Sequence, residues 1–346
     1  LPSRNRVLKV ALDVQLSVGT ATGIGAYERD LARALTGAQV DVCALAAPWL
    51  DPWRFDRRVA WDQVLFPLLA LRSGADVIHA ASGTMPLLTN VPVVVTVHDM
   101  AWQRVQSHTR AYARAYFGTL MRARYRRAAA AIADSEFSAG EFRELVGRDD
   151  VQVVYPGVDE RFASIARAPA AEPFALVVGT IERRKNLLRA VETIAAIPGL
   201  RLVAVGPFTA YGDEVRARIA ELGVAHRVDV RGYVDRAELD ALYATATCAL
   251  VPSRYEGFGY AVAEALCAGL PVIAARSSSL IEVARDDAPL IDPDDAAGWI
   301  DATRALLADR ESVERRAAGA RARAGVRFAW STAAARCAAI YAAAAR

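Results

Sequence analysis

The chain has 346 residues, 54% of them apolar and 23% charged, with a net charge of +3. Such a composition belongs to a globular protein with enough apolar surface for two cores of ordinary size. The small net charge argues against a dedicated nucleic-acid binder, and no apolar run is long enough to span a bilayer.

Short β-branched runs alternate with helical patterns throughout, which predicts α/β architecture with parallel sheets. The first strands are expected at 7–14 (VLKVALDV), 40–45, 76–80, 91–99 (VPVVVTVHD), 130–135 and 151–157. The run at 91–99 is too continuously apolar for a half-exposed strand, so helices should cover both of its faces. After the first strand, GTATGIGAY (19–27) is a glycine loop leading into a helix. Gly23 and Gly25 would let a diphosphate or an acceptor rest against the backbone, although a plain strand-to-helix turn also uses glycine. His98 and Asp99 end the 91–99 run and should lie at the sheet rim; His79, His108 and His226 are read as structural. Further on, 110–131 carries Arg110, Arg114, Arg122, Arg124, Arg126 and Arg127, with Tyr112, Tyr116, Leu120 and Met121 roughly at helical spacing. Such a basic amphipathic helix either packs its apolar stripe on the sheet or lies, through 110–127, on an anionic membrane.

The Ala- and Pro-rich stretch 163–173 is the expected linker. Beyond it the pattern restarts, with strands predicted at 174–180 (FALVVGT), 201–207, 227–232, 248–253 (CALVPS), 271–275 and 289–292. Two doubly wound domains follow, residues 1–165 and 166–329, with a helix at 330–346. Ligands of such sheets sit beyond the carboxyl ends of the strands, and a cleft between two such domains is the expected site.

The densest chemistry lies in VPSRYEGFGYAVAEALCAG (251–269). Gly257, Phe258 and Gly259 precede a helix beginning at Tyr260, whose amide-rich, partly positive end attracts an anion. Glu264, about one turn along that helix, can accept two hydrogen bonds from a diol such as a ribose. Glu256, in the loop, can do the same for a second polyol. An anion site between two diol acceptors describes a nucleotide-sugar. GTIERRKN (179–186) opens another helix after a strand, so Arg184 and Lys185 are placed to stabilise a departing diphosphate.

Together Glu256–Glu264 in its context, ERRKN, GIGAY, TVHD, SEFS (135–138), YPGVD (155–159) and SSSLIEV (277–283) resemble the retaining GT-B glycosyltransferases of family GT4. The resemblance implies two Rossmann-like domains closing over a nucleotide diphosphate-sugar, with no metal and no other cofactor. The first domain would take the acceptor and the second the donor, and 330–346 would cross back onto the first domain. It implies that Glu264 accepts from the ribose hydroxyls, and that Glu256 with Phe258 and Gly259 grips the transferred sugar. Arg184 and Lys185 would neutralise the diphosphate, and His98 would contact the sugar. Thr180 stands where some members carry an arginine, and Tyr260–Ala261 where many have Leu-Pro. The reaction implied is hexosyl transfer with retention, GDP-mannose being the favoured donor and the acceptor a saccharide, a lipid-linked sugar or a small molecule. The alternatives are a catalytically silent nucleotide-sugar subunit of an envelope assembly and a GT-B enzyme of another reaction, such as UDP-sugar epimerisation.

Cys43, Cys248, Cys267 and Cys337 are scattered without CxxC spacing and are read as buried, reduced thiols. With no signal peptide before the first strand, a cytoplasmic protein is expected, at most touching the inner face of the plasma membrane.

Overall fold

The computed structural model describes residues 7–19, 23–105 and 111–346. The chain forms two units: one runs to Gly157 and takes back Phe328–Arg346, and the other is Val158–Arg327.

In the first unit six parallel strands form one sheet: β1 (Lys9–Asp13), β2 (Asp41–Leu45), β3 (Val77–Ala80), β4 (Val93–Val97), β5 (Ala130–Ala133) and β6 (Gln152–Val153). Their order is β2-β1-β3-β4-β5-β6, so the chain changes direction across the sheet between β1 and β3. Strands β3, β4 and β5 are buried at every position, as their unbroken apolar runs require. Alternate residues of β4 feed opposite faces: Val93, Val95 and Val97 join a core with Trp61, Phe66 and Phe142, while Val94 joins one with Tyr27, Leu31, Trp330 and Tyr341.

The C-terminal helix Trp330–Ala344 packs in that second core beside the helix Gly23–Leu35. Its Tyr341 hydroxyl is hydrogen-bonded to His79 Nδ1 at 2.7 Å, and His79 Nε2 meets Thr96 Oγ1 at 2.8 Å. Burial, with a smaller push from the charge of His98, lowers the His79 pKa to about 3, so the ring is neutral and structural.

The second unit is also a six-stranded parallel sheet: β7 (Phe174–Val178), β8 (Arg201–Val205), β9 (Val228–Arg231), β10 (Cys248–Val251), β11 (Val272–Ala275) and β12 (Leu290–Ile291). The order β12-β11-β10-β7-β8-β9 puts the change of direction between β7 and β10.

Three expectations need correction. The second unit begins at Val158 rather than 166, because Phe162 packs edge-on against Tyr243 (4.9 Å) and Arg161 pairs with Asp240. Residues 163–173 are not a free linker. The amides of Ala168 and Ala170 donate to the carbonyls of Ala244 and Thr245, both at 2.9 Å, and the Arg167 guanidinium donates to the carbonyls of Tyr243, Ala244 and Ala246. Cys43 is only half-buried, whereas Cys248, Cys267 and Cys337 are buried.

Candidate active site

Because the sheet of the second unit reverses between β7 and β10, the loops leaving those strands lie side by side at its carboxyl edge, where such sheets bind ligands. The first loop carries Gly179–Asn186 and the second Pro252–Gly259. Asn186 joins them, its buried side-chain amide donating to the Pro252 carbonyl at 3.2 Å, and Arg254 N donates to the Arg184 carbonyl at 2.7 Å. Lys185 lays its aliphatic stem over Gly179, about 3.5 Å from where a Cβ would be.

Glu256 is the centre of this cluster. Its side chain is 7% exposed, Lys185 Nζ donates to Oε1 at 2.6 Å, and Arg184 Nη1 donates to Oε2 at 3.0 Å. Burial works against the charge, but Lys185 and then Arg184 outweigh it and hold the carboxyl below the usual glutamate range. A run of serines fixes the loop: Glu256 N donates to Ser278 Oγ, Ser279 Oγ donates to the Glu256 carbonyl, and Ser277 Oγ donates to the Ser253 carbonyl. The structure therefore shows Glu256 engaged by the two cations, whereas the sequence reading had it turned to a sugar. The serines' part in this was not recognised in SSSLIEV.

Gly259 caps the helix Tyr260–Ala268 with φ +96, and a Cβ there would stand 2.4 Å from Leu280 Cδ2. The Phe258 ring is buried edge-on against Tyr260 (5.3 Å), and Gly257 precedes it in the same loop. The positive end of this helix thus lies directly after Glu256 in the chain. Glu264, on the same helix, accepts from the Tyr243 hydroxyl at 2.9 Å. Burial raises its pKa to about 7 against the opposing effect of that hydrogen bond. Tyr243 was not found from sequence, because nothing in ALYATAT distinguishes it from a core tyrosine.

In the first unit His98 follows β4, with Nδ1 2.6 Å from Asp134 Oδ2 and Nε2 2.8 Å from the Ala81 carbonyl. Both partners accept, so both ring nitrogens donate and the ring is an imidazolium. Burial opposes the charge, but Asp134 prevails and raises the pKa. Both nitrogens are therefore engaged within the protein rather than presented to a sugar. NMR titration of the histidines, with His98→Gln for assignment, is expected to give a pKa above 6.5 that drops in Asp134→Asn. The stabilisation from this pair is complete below the unfolded-state pKa and fades as pH rises through the raised value. A His98 pKa below 6.5 would refute the imidazolium. SEFS supports the same corner: Ser135 caps the helix Glu136–Val146, and Ser138 Oγ donates to the His98 carbonyl at 3.0 Å.

Gly23 opens the helix Gly23–Leu35 with no atom of the described residues within 4 Å of an added Cβ, and Gly25 is buried in its first turn; residues 20–22 of that loop lie outside the described residues. In the basic helix, Arg110 and His108 also lie outside them. The expected apolar stripe is split, with Tyr116 and Met121 in the core and Tyr112 and Leu120 exposed. A buried ionic cluster escaped the sequence reading altogether. Arg58 reaches Asp62 through Nε (2.9 Å) and Asp13 through Nη2 (3.4 Å), and Glu28 is buried near them. Burial and the charge of Asp13 push the Glu28 carboxyl well above its ordinary range. These residues are dispersed along the chain, and no spacing links them.

Among the described residues no cluster of ligating side chains suits a metal ion, and no helix is long and apolar enough to cross a membrane.

Two family models match the chain in succession: "Glycosyltransferase Family 4" over residues 21–162 and "Glycosyl transferases group 1" over residues 159–323. A D-inositol 3-phosphate glycosyltransferase of Xylanimonas cellulosilytica is 35% identical over 236 residues, covering 62% of this chain and 56% of that protein. An O-antigen chain mannosyltransferase B of Escherichia coli is 34% identical over 131 residues, covering 36% and 34%. The chain thus matches about half the length of the first relative and about a third of the second. Among solved structures, sucrose-phosphate synthase from Thermosynechococcus elongatus superposes with a TM-score of 0.80 at 22% identity, covering 97% of this chain and 98% of that one.

Proposed function

Since the chain belongs to the group 1 glycosyltransferases of the family 4 type and has their GT-B fold, we propose that it moves a hexosyl group from a nucleotide diphosphate-sugar to a saccharide, lipid-linked or small-molecule acceptor. Mannose is the favoured sugar, in keeping with the mannosyltransferase among its relatives, and transfer proceeds with retention and without a metal. The observation carrying this reading is the Arg184–Lys185–Glu256 cluster beside the helix that bears Glu264.

In this reading the diphosphate draws Lys185 and Arg184 away from Glu256 and takes its place between them and the helix N-terminus. Glu256, relieved of its partners, then has oxygens to accept from the hydroxyls of the transferred sugar. Glu264 accepts from the ribose diol, with Tyr243 fixing its orientation. As the bond from the sugar to phosphate breaks, charge gathers on the diphosphate, and the cations stabilise it more in the transition state than in the ground state. The departing phosphate oxygen takes the acceptor's proton, so no separate carboxylate base is required. Membrane contact through 110–127 belongs to this reading only if the acceptor is lipid-linked.

The test is hydrolysis and binding of UDP-, GDP-, ADP- and dTDP-sugars without acceptor. Turnover of one of them, GDP-mannose first, is expected; binding and turnover of none would reject the reading.

A pH dependence follows from Glu264. Its ionised form accepts from both ribose hydroxyls, so nucleotide affinity should weaken as pH falls below about 7, up to tenfold for each unit. Calorimetric titration with the nucleoside diphosphate at pH 5.5 to 8 reads this slope, and Glu264→Gln should flatten it. The raised pKa has the opposite sign for folding: the native state holds this proton more tightly, so its contribution to stability declines as pH rises from about 4.5 to about 7. An affinity that is flat across this range in the unmodified protein would remove Glu264 from the ribose.

A further inference from the structure

The first unit contains a cavity of about 420 Å³ that the site described above leaves unused. Its walls are aromatic: Trp53, Phe55, Trp102, Tyr112 and Phe117 line it, with Arg58, Ser82 and Thr84 as the polar part. Phe55 and Tyr112 stand 4.5 Å apart, and Trp102 stacks on Phe117 at 5.0 Å with 24° between the rings. Trp53 and Tyr112 are left 55% and 46% exposed.

The position is that of a ligand site. Leu16 follows β1 and Ser82 follows β3, so the cavity sits at the carboxyl edge where this sheet changes direction. The helical stretch Arg114–Leu120, with its rare π-type winding, carries Phe117 into the cavity wall. A smaller cavity of about 80 Å³ shares Ser82, Thr84, Trp102 and Phe117 with it and adds His98 and Asp99.

Charge decides what the cavity does not hold. Among the described residues its one lining cation, Arg58, already faces Asp13, Asp62 and Glu28, and so offers little net positive charge to a diphosphate. Yet Arg58 is 4% exposed and its Nη1 has no hydrogen-bond partner among the described residues, Nε and Nη2 being spent on Asp62, Asp13, Ser82 and Thr84. One unspent buried donor beneath aromatic walls suits a neutral ring that carries oxygen.

We propose that this cavity, on the side where the family resemblance places the acceptor, takes an aromatic alcohol as that acceptor, its ring between the Trp and Phe walls. The proposal rests on the transferase reading. The bond from the sugar's anomeric carbon to phosphate breaks, the acceptor oxygen bonds to that carbon, and its proton leaves on the nucleoside diphosphate.

The experiment uses the whole chain with three probes, 2-naphthol, farnesol and methyl mannoside, each titrated by calorimetry and by tryptophan fluorescence. 2-Naphthol is expected to bind and, with the donor found in the screen, to yield a naphthyl glycoside by mass spectrometry. Trp102→Ala and Trp53→Ala should each raise its Kd at least tenfold, and Ala113→Leu, which fills the cavity from a lining position, should do the same without removing a ring. Circular dichroism confirms that each variant is folded. Binding of farnesol or methyl mannoside in preference to 2-naphthol, or a 2-naphthol Kd indifferent to all three variants, overturns the proposal while donor hydrolysis still supports the transferase. Absence of donor turnover, even with 2-naphthol bound, overturns the acceptor role together with the reading it rests on.

Discussion

Lys185→Ala is expected to lower kcat roughly 100-fold, with a much smaller change in the donor's KM. A fixed cation at a developing diphosphate contributes about 3 kcal/mol to the transition state, which corresponds to that factor. The ammonium has a second partner to consider, since Lys185 Nζ lies 2.6 Å from the buried Glu256 carboxylate. Removing one member of a buried pair destabilises a protein in its own right. The arithmetic is softened here because Arg184 still holds the other oxygen and Lys185 is itself 20% exposed. Kinetics should therefore be read beside a thermal melt, with Lys185→Ala/Glu256→Gln as the companion variant. The double variant removes both members of the Lys185–Glu256 pair, so no buried carboxylate is left short of its ammonium, while Arg184 keeps Glu182 as a partner and the cation is not restored. Stability should recover in it and turnover should not. An undiminished kcat in a folded Lys185→Ala protein would mean that the ammonium serves the fold alone.

Gly206→Ala should carry the largest stability effect, about 3 kcal/mol or more, or prevent the second unit from folding. Gly206 has φ +148, and an added Cβ would sit 2.0 Å from the Gly179 carbonyl oxygen and 2.5 Å from its carbon. Those atoms are backbone, so no side chain can swing aside. Both residues also belong to the sheet's continuation: Gly179 N donates to the Val205 carbonyl at 2.9 Å and Gly206 N to the Gly232 carbonyl at 3.0 Å. Pushing them apart would displace the loop that carries Arg184 and Lys185. Gly23→Ala is the fitting contrast, because among the described residues no atom lies within 4 Å of its Cβ position. A melting temperature for Gly206→Ala equal to that of the unmodified protein would show that the crossing of these loops is not required.

The alternation of buried strands and helices was legible because β-branched runs such as VVVTV fit only a strand covered on both faces. The grouping of Arg184, Lys185 and Glu256 was legible in kind, since each stands just beyond a strand, and such ends gather at one edge of a parallel sheet. What Glu256 faces was not legible. Its partners lie 71 and 72 positions away, and the strand order β10-β7 makes them neighbours. His98 shows the same limit, because its imidazolium character depends on Asp134, which pairing of β4 with β5 brings within reach.

Local periodicity and loop composition by themselves determined which segments are strands, that their sheets are parallel, and which loops carry charge. Tertiary structure alone decided that the pKa values of His98 and Glu264 are raised, that Glu256 occupies Lys185, and that an aromatic cavity lies over Arg58. The physical reason is one of range. Backbone preference and periodicity act over a few residues, whereas burial and ion pairing are set by whichever distant segments the sheet order places in contact.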